Sequence, residues 1–512
     1  MTQGEWRGQA LRLGNSLRRL RPRGVVTLLL LAGVLVLALG PLVGPFVGPS
    51  SAAAAAPQEQ AAAAVATGRT PPTKAAQKRR PDVSLAPPAP VAGPVLPAEV
   101  LAHLPVTPDV LVPPAALASD RDEDRVAGAM APLYEILPSP ATAVGVASPV
   151  RVEYTFDPRL ERRVFEILDS RGVRLANVVV MDPQTGRLLA YASSDTERFP
   201  PNRTYPAASL IKVVTAAAAL HHDRERAEQP CRFLGSPYTL TPARINPPRL
   251  GQTVTLERAL ATSNNQCFAQ LAVHAIGTDA MVDAIKRFGF LRSPAPGHAA
   301  GTIDAGSDSY DLGRLGCGLT GCWITPLHAV QLGASLANGR VVEPWWIERA
   351  TDAQGRELTL PPRRATRQVL TPALANELRS MLIETTEAGT ARRGFHDGTG
   401  RPLLGDIRVA GKTGSLSGTD PAGRYEWFTG VAPAENPTVA IAVVVVQQQR
   451  LWVHASYIAG EVLHAYFCES GAGCPGGGTI RSTAELERAQ RKHVKPKRPV
   501  HRTKRGVRSR VS

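Results

Sequence analysis

The stretch Ala207-Ala208-Ser209-Leu210-Ile211-Lys212, running on into Val213-Val214-Thr215-Ala216-Ala217-Ala218-Ala219-Leu220, constrains this chain more than any other. The apolar run predicts a helix. A Ser at its mouth with a Lys three residues later puts a hydroxyl and an amine on one face, a turn apart. Taken alone, the Ser reads as a helix N-cap and the Lys as a surface side chain. Two further strings weigh against that. Ser263-Asn264-Asn265 lies between two helical patterns, and Lys412-Thr413-Gly414 ends a strand-like run. The three segments are expected to converge, so the fold must stack helices on a sheet.

The residue types define a chemistry. Ser209 is a weak nucleophile that needs a base, and Lys212 can serve only if it is neutral. Burial or a second nearby cation would depress its pKa, and Lys412 is the expected cation. Ser263 is positioned in sequence to relay a proton, and Asn265 to hold a substrate amide or Lys212. Lys412, Thr413 and Ser415 offer one positive charge and two hydroxyls to a carboxylate. Gly414 lets the strand edge approach a substrate backbone. The backbone N–H groups of Ser209 and Ser415 are candidates for an oxyanion hole.

Charge is distributed unevenly. Of the formal +16, residues 1–24 carry +5 and residues 479–512 carry +10, leaving 41 basic and 40 acidic residues between them. The middle is therefore no nucleic-acid-binding surface, and the basic character belongs to the ends. Arg18, Arg19, Arg21 and Arg23 precede an apolar run from Val25 to Val43, with no charge until Glu59. This predicts a single membrane anchor with a cytoplasmic N-terminus (1–24) and the rest of the chain on the periplasmic, extracytoplasmic side of the inner membrane. A cleaved signal peptide is the competing reading, given Pro41 and the small residues Ala52–Ala56. All six cysteines follow this run. The short spacings pair Cys317 with Cys322 and Cys468 with Cys474, leaving Cys231 with Cys267, and reduced buried thiols are the alternative. No C-x-x-C or paired His accompanies them, so neither a metal nor another cofactor is expected.

Along the chain, residues 44–100 form an Ala/Pro-rich linker and 101–150, broken by proline, an irregular pedestal or more linker. The body, 151–470, opens with a helix over Leu160–Leu168 and a hairpin of Leu175–Met181 and Leu188–Ala192 about the Asp182–Gly186 turn. Helical patterns follow at Thr255–Ala261, Gln266–Ile276, Ala280–Phe288, Pro326–Ala337 and Leu374–Thr385. Strands follow at Ile407–Lys412, Glu426–Val431 and Thr438–Val446, and a helix over Val453–Phe467 closes the body. This order predicts an α+β domain with a mostly antiparallel sheet flanked by helices. Residues 471–512 read as a basic, disordered tail suited to anionic envelope polymers or lipid headgroups.

Ser209-Leu210-Ile211-Lys212, Ser263-Asn264-Asn265 and Lys412-Thr413-Gly414-Ser415 resemble the three motifs of penicillin-binding protein transpeptidase domains, a family sharing its motif set with β-lactamases. Asp182–Gly186, Ile324-Thr325-Pro326-Leu327 and Trp427-Phe428-Thr429-Gly430 extend the resemblance over about residues 152–468. The resemblance implies a five-stranded sheet with an inserted all-helical subdomain. It also implies a serine D,D-transpeptidase that cleaves the D-Ala-D-Ala end of peptidoglycan stem peptides, cross-links them, and is trapped covalently by β-lactams. Ala208 and Ser415 stand where many such enzymes have Gly and Thr. Three rivals remain. A D,D-carboxypeptidase would pass the acyl group to water. A non-catalytic β-lactam or muropeptide sensor would capture its ligand in the pocket and relay it through the anchor, and the cytoplasmic piece, residues 1–24, leaves little room for a signalling domain. A β-lactamase would carry a Glu soon after Ser-x-Asn, and none occurs from Gln266 to Val342.

Overall fold

The computed structural model describes residues 94–111, 133–138, 148–447, 453–469 and 473–493. Two short strands, β1 (Tyr134–Pro138) and β2 (Pro149–Tyr154), pair antiparallel ahead of the body. Helix α1 (Pro158–Ser170) then starts where its sequence says it should. Asp157 caps it by accepting from the N–H groups of Arg159 and Leu160 at 2.9 and 3.1 Å, and Pro158 occupies the first turn. Its buried stripe, Leu160, Val164, Ile167 and Leu168, is the one the spacing predicted. The predicted hairpin follows as β3 (Ala176–Met181) and β4 (Leu188–Ser193). In its turn Asp182 Oδ1 accepts from Gln184 N at 2.7 Å, and Gly186 takes φ +80° where a side chain would strike the Glu343 carbonyl.

Helix α2 (Ile211–His222) is buried from Ile211 to Leu220, as an all-round apolar sequence requires. Around it lie α3 (Leu256–Ala261), α4 (Asn265–Leu271), α5 (Thr278–Phe288) and α6 (Ser309–Cys317). Helix α6 was not foreseen, because two glycines and two charges mask its periodicity. Helix α7 (Pro326–Asn338), expected over Pro326–Ala337, ends at Gly339 with φ +77°. Strand β5 (Ile347–Thr351) returns to pair with β2, so part of the segment read as pedestal belongs to a three-stranded sheet. Helix α8 (Pro372–Glu387) precedes the strands β6 (Ala410–Thr419), β7 (Ala422–Ala432) and β8 (Val439–Gln447). Helix α9 (Ala455–His464) and helix α10 (Thr483–His493) complete the described chain.

The central sheet runs β6-β7-β8-β3-β4, antiparallel throughout. Strand β8 explains how it is buried on both sides. Ala440, Ala442, Val444 and Val446 join a core that includes α2 and α7, while Val439, Ile441, Val443 and Val445 join a core with α1 and α9. A strand covered on both faces loses the polar alternation of a half-exposed one and reads as a continuous apolar run.

Three expectations are corrected. The strand placed at Ile407–Lys412 begins at Ala410 and continues to Thr419, so the Lys-Thr-Gly string lies within β6 and not at its end. Cys231–Cys267 and Cys468–Cys474 are disulfides, but Cys317 and Cys322 are separate buried thiols. Their short spacing misleads because Cys317 closes a helix, its Sγ 3.5 Å from Arg314 O, while Cys322 opens a strand (Cys322–Ile324). Residues 473–493 are not a loose tail. Leu486 of α10 is buried, and Arg171 bridges Glu461 at 2.6 Å and donates to Arg481 O at 2.7 Å. The remaining basic run, 494–512, lies outside the described residues, as does the apolar run 25–43. Among the described residues no helix is long and apolar enough to cross a membrane.

Candidate active site

Ser209 sits in one 3-10 turn, Ala208–Leu210, immediately before α2, and makes no capping hydrogen bond to the helix. Lys212, one turn on, donates from Nζ to Ser209 Oγ at 2.6 Å. The same amine reaches Asn265 Oδ1 and Cys317 O, both at 2.7 Å, and Ser263 Oγ at 3.3 Å. The first two of the three strings therefore meet at one nitrogen. Because α2 is enclosed on every side, Lys212 is fully buried.

Local backbone chemistry frees these side chains for each other. At α4 the capping role falls to Asn264, whose side chain accepts from Cys267 N at 3.2 Å. Ser263 and Asn265, on either side, turn inward. Asn265 Nδ2 donates to Tyr238 O at 2.8 Å, so its amide is oriented with oxygen toward Lys212. Ala208 and Ser263 hold φ +50° and +57°, the two non-glycine residues with positive φ among those described. Each costs about 1–2 kcal/mol, and such strain collects at functional sites.

The third string arrives on the edge strand β6. Lys412 pairs across the ladder with Thr429, whose hydroxyl donates to Ala329 O on α7 at 2.6 Å. Lys412 therefore points into the helical layer that holds Lys212. It is fully buried and donates to Thr413 O at 2.8 Å. Gly414 packs β6 against the nucleophile's turn: a Cβ there would lie 3.3 Å from both Ala207 O and the Ala208 side chain. Trp427 Nε1 donates to Pro206 O at 2.9 Å and ties β7 to the same turn.

Burial pushes the Lys212 amine down to about 8. Burial, and then the charge of Lys212, hold the Lys412 amine well below its ordinary range. Lys212 has three oxygen acceptors within 2.7 Å and Lys412 has one at 2.8 Å.

A cleft of about 380 Å³ opens over these groups. Ser209, Ser263, Asn265, Thr413, Gly414 and Ser415 line it, and the two lysines lie behind it. Sequence reasoning missed the rest of its wall. Thr390 shares a 2.5 Å hydrogen bond with Thr413 Oγ1, and Arg424 donates from Nε to Ser415 Oγ at 2.7 Å. Glu426 accepts from Gln447 Nε2 at 2.9 Å and pairs with His454 Nδ1 at 2.5 Å. No local signal marks Thr390 or Glu426. Arg424 could have been found by carrying the hairpin register back from Ser415. A nucleophile in hydrogen-bond contact with a partly neutral amine, beside an edge strand and two hydroxyls, is equipped for acyl transfer from a substrate bearing a carboxylate.

A family model described as the penicillin binding protein transpeptidase domain matches residues 176–466. The peptidoglycan D,D-transpeptidase PbpA of Mycolicibacterium smegmatis is 27% identical over 342 residues, 57% of this chain and 67% of the relative. Penicillin-binding protein PbpB of the same organism is 26% identical over 340 residues, 58% of this chain and 51% of the relative. The imipenem acyl-enzyme complex of penicillin-binding protein A from M. tuberculosis shares the fold, with TM-score 0.51 and 24% identity over 62% of this chain and 79% of that one. PBP2 of Pseudomonas aeruginosa, in complex with WCK 5153, shares it with TM-score 0.51 and 22% identity over 63% of this chain and 80% of that one.

Proposed function

The chain belongs to the penicillin-binding protein transpeptidase family, and from that premise we propose that it is a D,D-transpeptidase of peptidoglycan. Ser209 Oγ attacks the carbonyl of the penultimate D-Ala of a stem peptide as its proton passes to Lys212 Nζ. The C–N bond to the terminal D-Ala breaks, and Ser263 relays the proton to the departing amine. A second stem's amine then attacks the acyl-enzyme, restoring Ser209 and completing the cross-link. Thr413 and Ser415 receive the terminal carboxylate, and the N–H groups of Ser209 and Ser415 face the developing oxyanion. The observation that carries this reading is the 2.6 Å contact between Ser209 Oγ and Lys212 Nζ within a cleft walled by the Lys-Thr-Gly strand. A β-lactam resembles the D-Ala-D-Ala end and acylates the same hydroxyl.

The assay is incubation with a stem pentapeptide and an amine acceptor. A cross-linked product with release of D-Ala is expected, whereas tetrapeptide alone would make the protein a carboxypeptidase. Thr390 contributes at a smaller scale. Losing its hydrogen bond to Thr413 costs about 1 kcal/mol, so Thr390→Val should slow benzylpenicillin acylation about fivefold, measured as a second-order rate constant by intact mass.

The run Val25–Val43 supports a single-pass anchor placing this domain outside the cytoplasmic membrane. The basic run after residue 493 supports electrostatic attachment to anionic envelope polymers. Retention in the envelope should then fall as salt rises, and a retention indifferent to salt would remove that attachment.

A further inference from the structure

The turn that carries Ser263 and Asn265 is strapped down by a segment that no motif marks. Cys231–Tyr238 runs antiparallel along α4, from the second turn of the helix back to its first residue. At the far end Cys231 is bonded to Cys267, and Gln270 Nε2 donates to Arg232 O at 3.0 Å. In the middle Gln266, fully buried, accepts from Leu234 N at 3.2 Å and donates to Leu234 O and Ser236 O at 3.0 and 2.8 Å. At the near end the backbone N–H of Asn265 donates to Pro237 O at 2.8 Å, and its side-chain amide donates to Tyr238 O at 2.8 Å. The last of these aims Asn265 Oδ1 at Lys212.

Little else holds the strap. Arg232, Leu234, Gly235 and Ser236 are exposed. Apart from the buried ring of Phe233 and a short pairing of Cys231–Phe233 with Gln252–Val254, its fixings are on α4. Hydrogen bonds beside solvent exchange with water and each stabilise only weakly. The Cys231–Cys267 bond is the covalent tie, and it closes a loop of 36 residues in sequence separation. That tie bears on the site because Ser263 holds φ +57°, a conformation that persists only where its surroundings over-determine it. The bridge is also reachable, since it borders a cavity of about 430 Å³ that shares no lining residue with the cleft.

We propose that Cys231–Tyr238 is a positioning strap for Asn265, and that the Cys231–Cys267 bridge makes the competence of the site conditional on oxidation. With both thiols reduced the strap lifts, Asn265 loses its aim, and acylation of Ser209 slows. The bridge closes by exchange with an external disulfide, which takes two protons and two electrons from the two cysteines and leaves as two thiols. The proposal rests on the reading of Ser209 as an acylated nucleophile.

The test measures acylation of the full chain by benzylpenicillin before and after reduction with a phosphine, expressed per folded molecule from parallel melting curves. Wild type is compared with a chain carrying Cys468→Ser and Cys474→Ser, in which Cys231–Cys267 is the bridge that remains and Cys317 and Cys322 are already thiols. In both, reduction should slow acylation about ten- to hundredfold, the scale of a small misplacement, and oxidised glutathione should restore it. The rise of the rate with pH, which follows the Lys212 amine, should also move to lower pH, because an Asn265 oxygen that has turned away no longer favours the protonated amine. Lys412 and the Cys317 thiol, the other titratable groups facing that amine, are chemically unchanged by the reductant. Gln266→Met, with the bridge intact, should slow acylation and move the rise in the same direction. A reduced chain that keeps both rate and pH dependence overturns the proposal, as does Gln266→Met with both unchanged. So does a fall matched by loss of folded protein with the pH dependence unmoved, since the bridge would then only hold the fold together. If oxidised wild type forms no adduct at all, the nucleophile reading itself fails, a result distinct from these.

Discussion

Lys212→Met should lower the rate of Ser209 acylation by benzylpenicillin by about 10²–10⁴-fold, the range for removing a positioned general base. Met keeps the length and apolar stem of the side chain but removes the amine 2.6 Å from Ser209 Oγ. It also strands Asn265 Oδ1 and Cys317 O, which each lose a 2.7 Å donor, at about 1–3 kcal/mol apiece. The rate must therefore be expressed per folded molecule, with the melting curve recorded alongside. The pH dependence separates the base from mere packing. Burial lowers the Lys212 amine to about 8, so the neutral, proton-accepting form is scarce at pH 6 and grows as pH rises through about 8. Wild-type acylation should climb along that limb and level off above it. The residual rate of Lys212→Met should not follow the same limb. A variant that retains both the rate and the limb would show that Lys212 is not the base.

Gly318→Ala should destabilise the fold by about 4 kcal/mol, combining backbone strain with overpacking, and slow acylation about 100-fold, the scale of a 1 Å misplacement. Gly318 holds φ +78°, and a Cβ there would lie 2.1 Å from Ala208 O, 2.5 Å from Ala208 C and 3.0 Å from Ile211 Cγ2. None of these can move alone. Ala208 precedes the nucleophile, Ile211 opens α2, and Cys317, the residue before Gly318, supplies its carbonyl to Lys212. The new methyl must push apart the turn that aims Ser209 and the loop that anchors its base. Gly172→Ala is the control, because Gly172 has φ +62° but nothing within 4 Å of a Cβ. It should cost about 1 kcal/mol and leave acylation unchanged. Equal behaviour of the two variants, by denaturant midpoint and adduct formation, would refute the steric argument.

The elements legible in the sequence are those with a local cause. Helices α1 and α7 announced themselves through their apolar spacing, Leu160, Val164, Ile167 and Leu168 in the first. Strand β8 was legible because both of its faces are covered. Helix α6 was illegible for the opposite reason: two glycines weaken its propensity, and it stands because neighbouring helices enclose it. Glycine is needed at Gly316, where a Cβ would lie 2.3 Å from the Ala272 side chain, so the residue that hid the helix also lets it pack. The cysteines failed likewise, since sequence spacing does not say which way a thiol points from a helix end or a strand start.

Within the site, the sequence alone determined which groups are reactive: Ser209 one turn from Lys212, the Ser/Asn turn, and the Lys-Thr-Gly strand, because residue type and helical period fix those relations locally. Only the tertiary structure decided how their charge is arranged. It closed four oxygens around Lys212, buried Lys412 behind the cleft, and brought Arg424 to Ser415 through the register of a hairpin. Desolvation and distance between groups far apart in the chain set where a proton or a cation resides, and neither is written in any one stretch of residues.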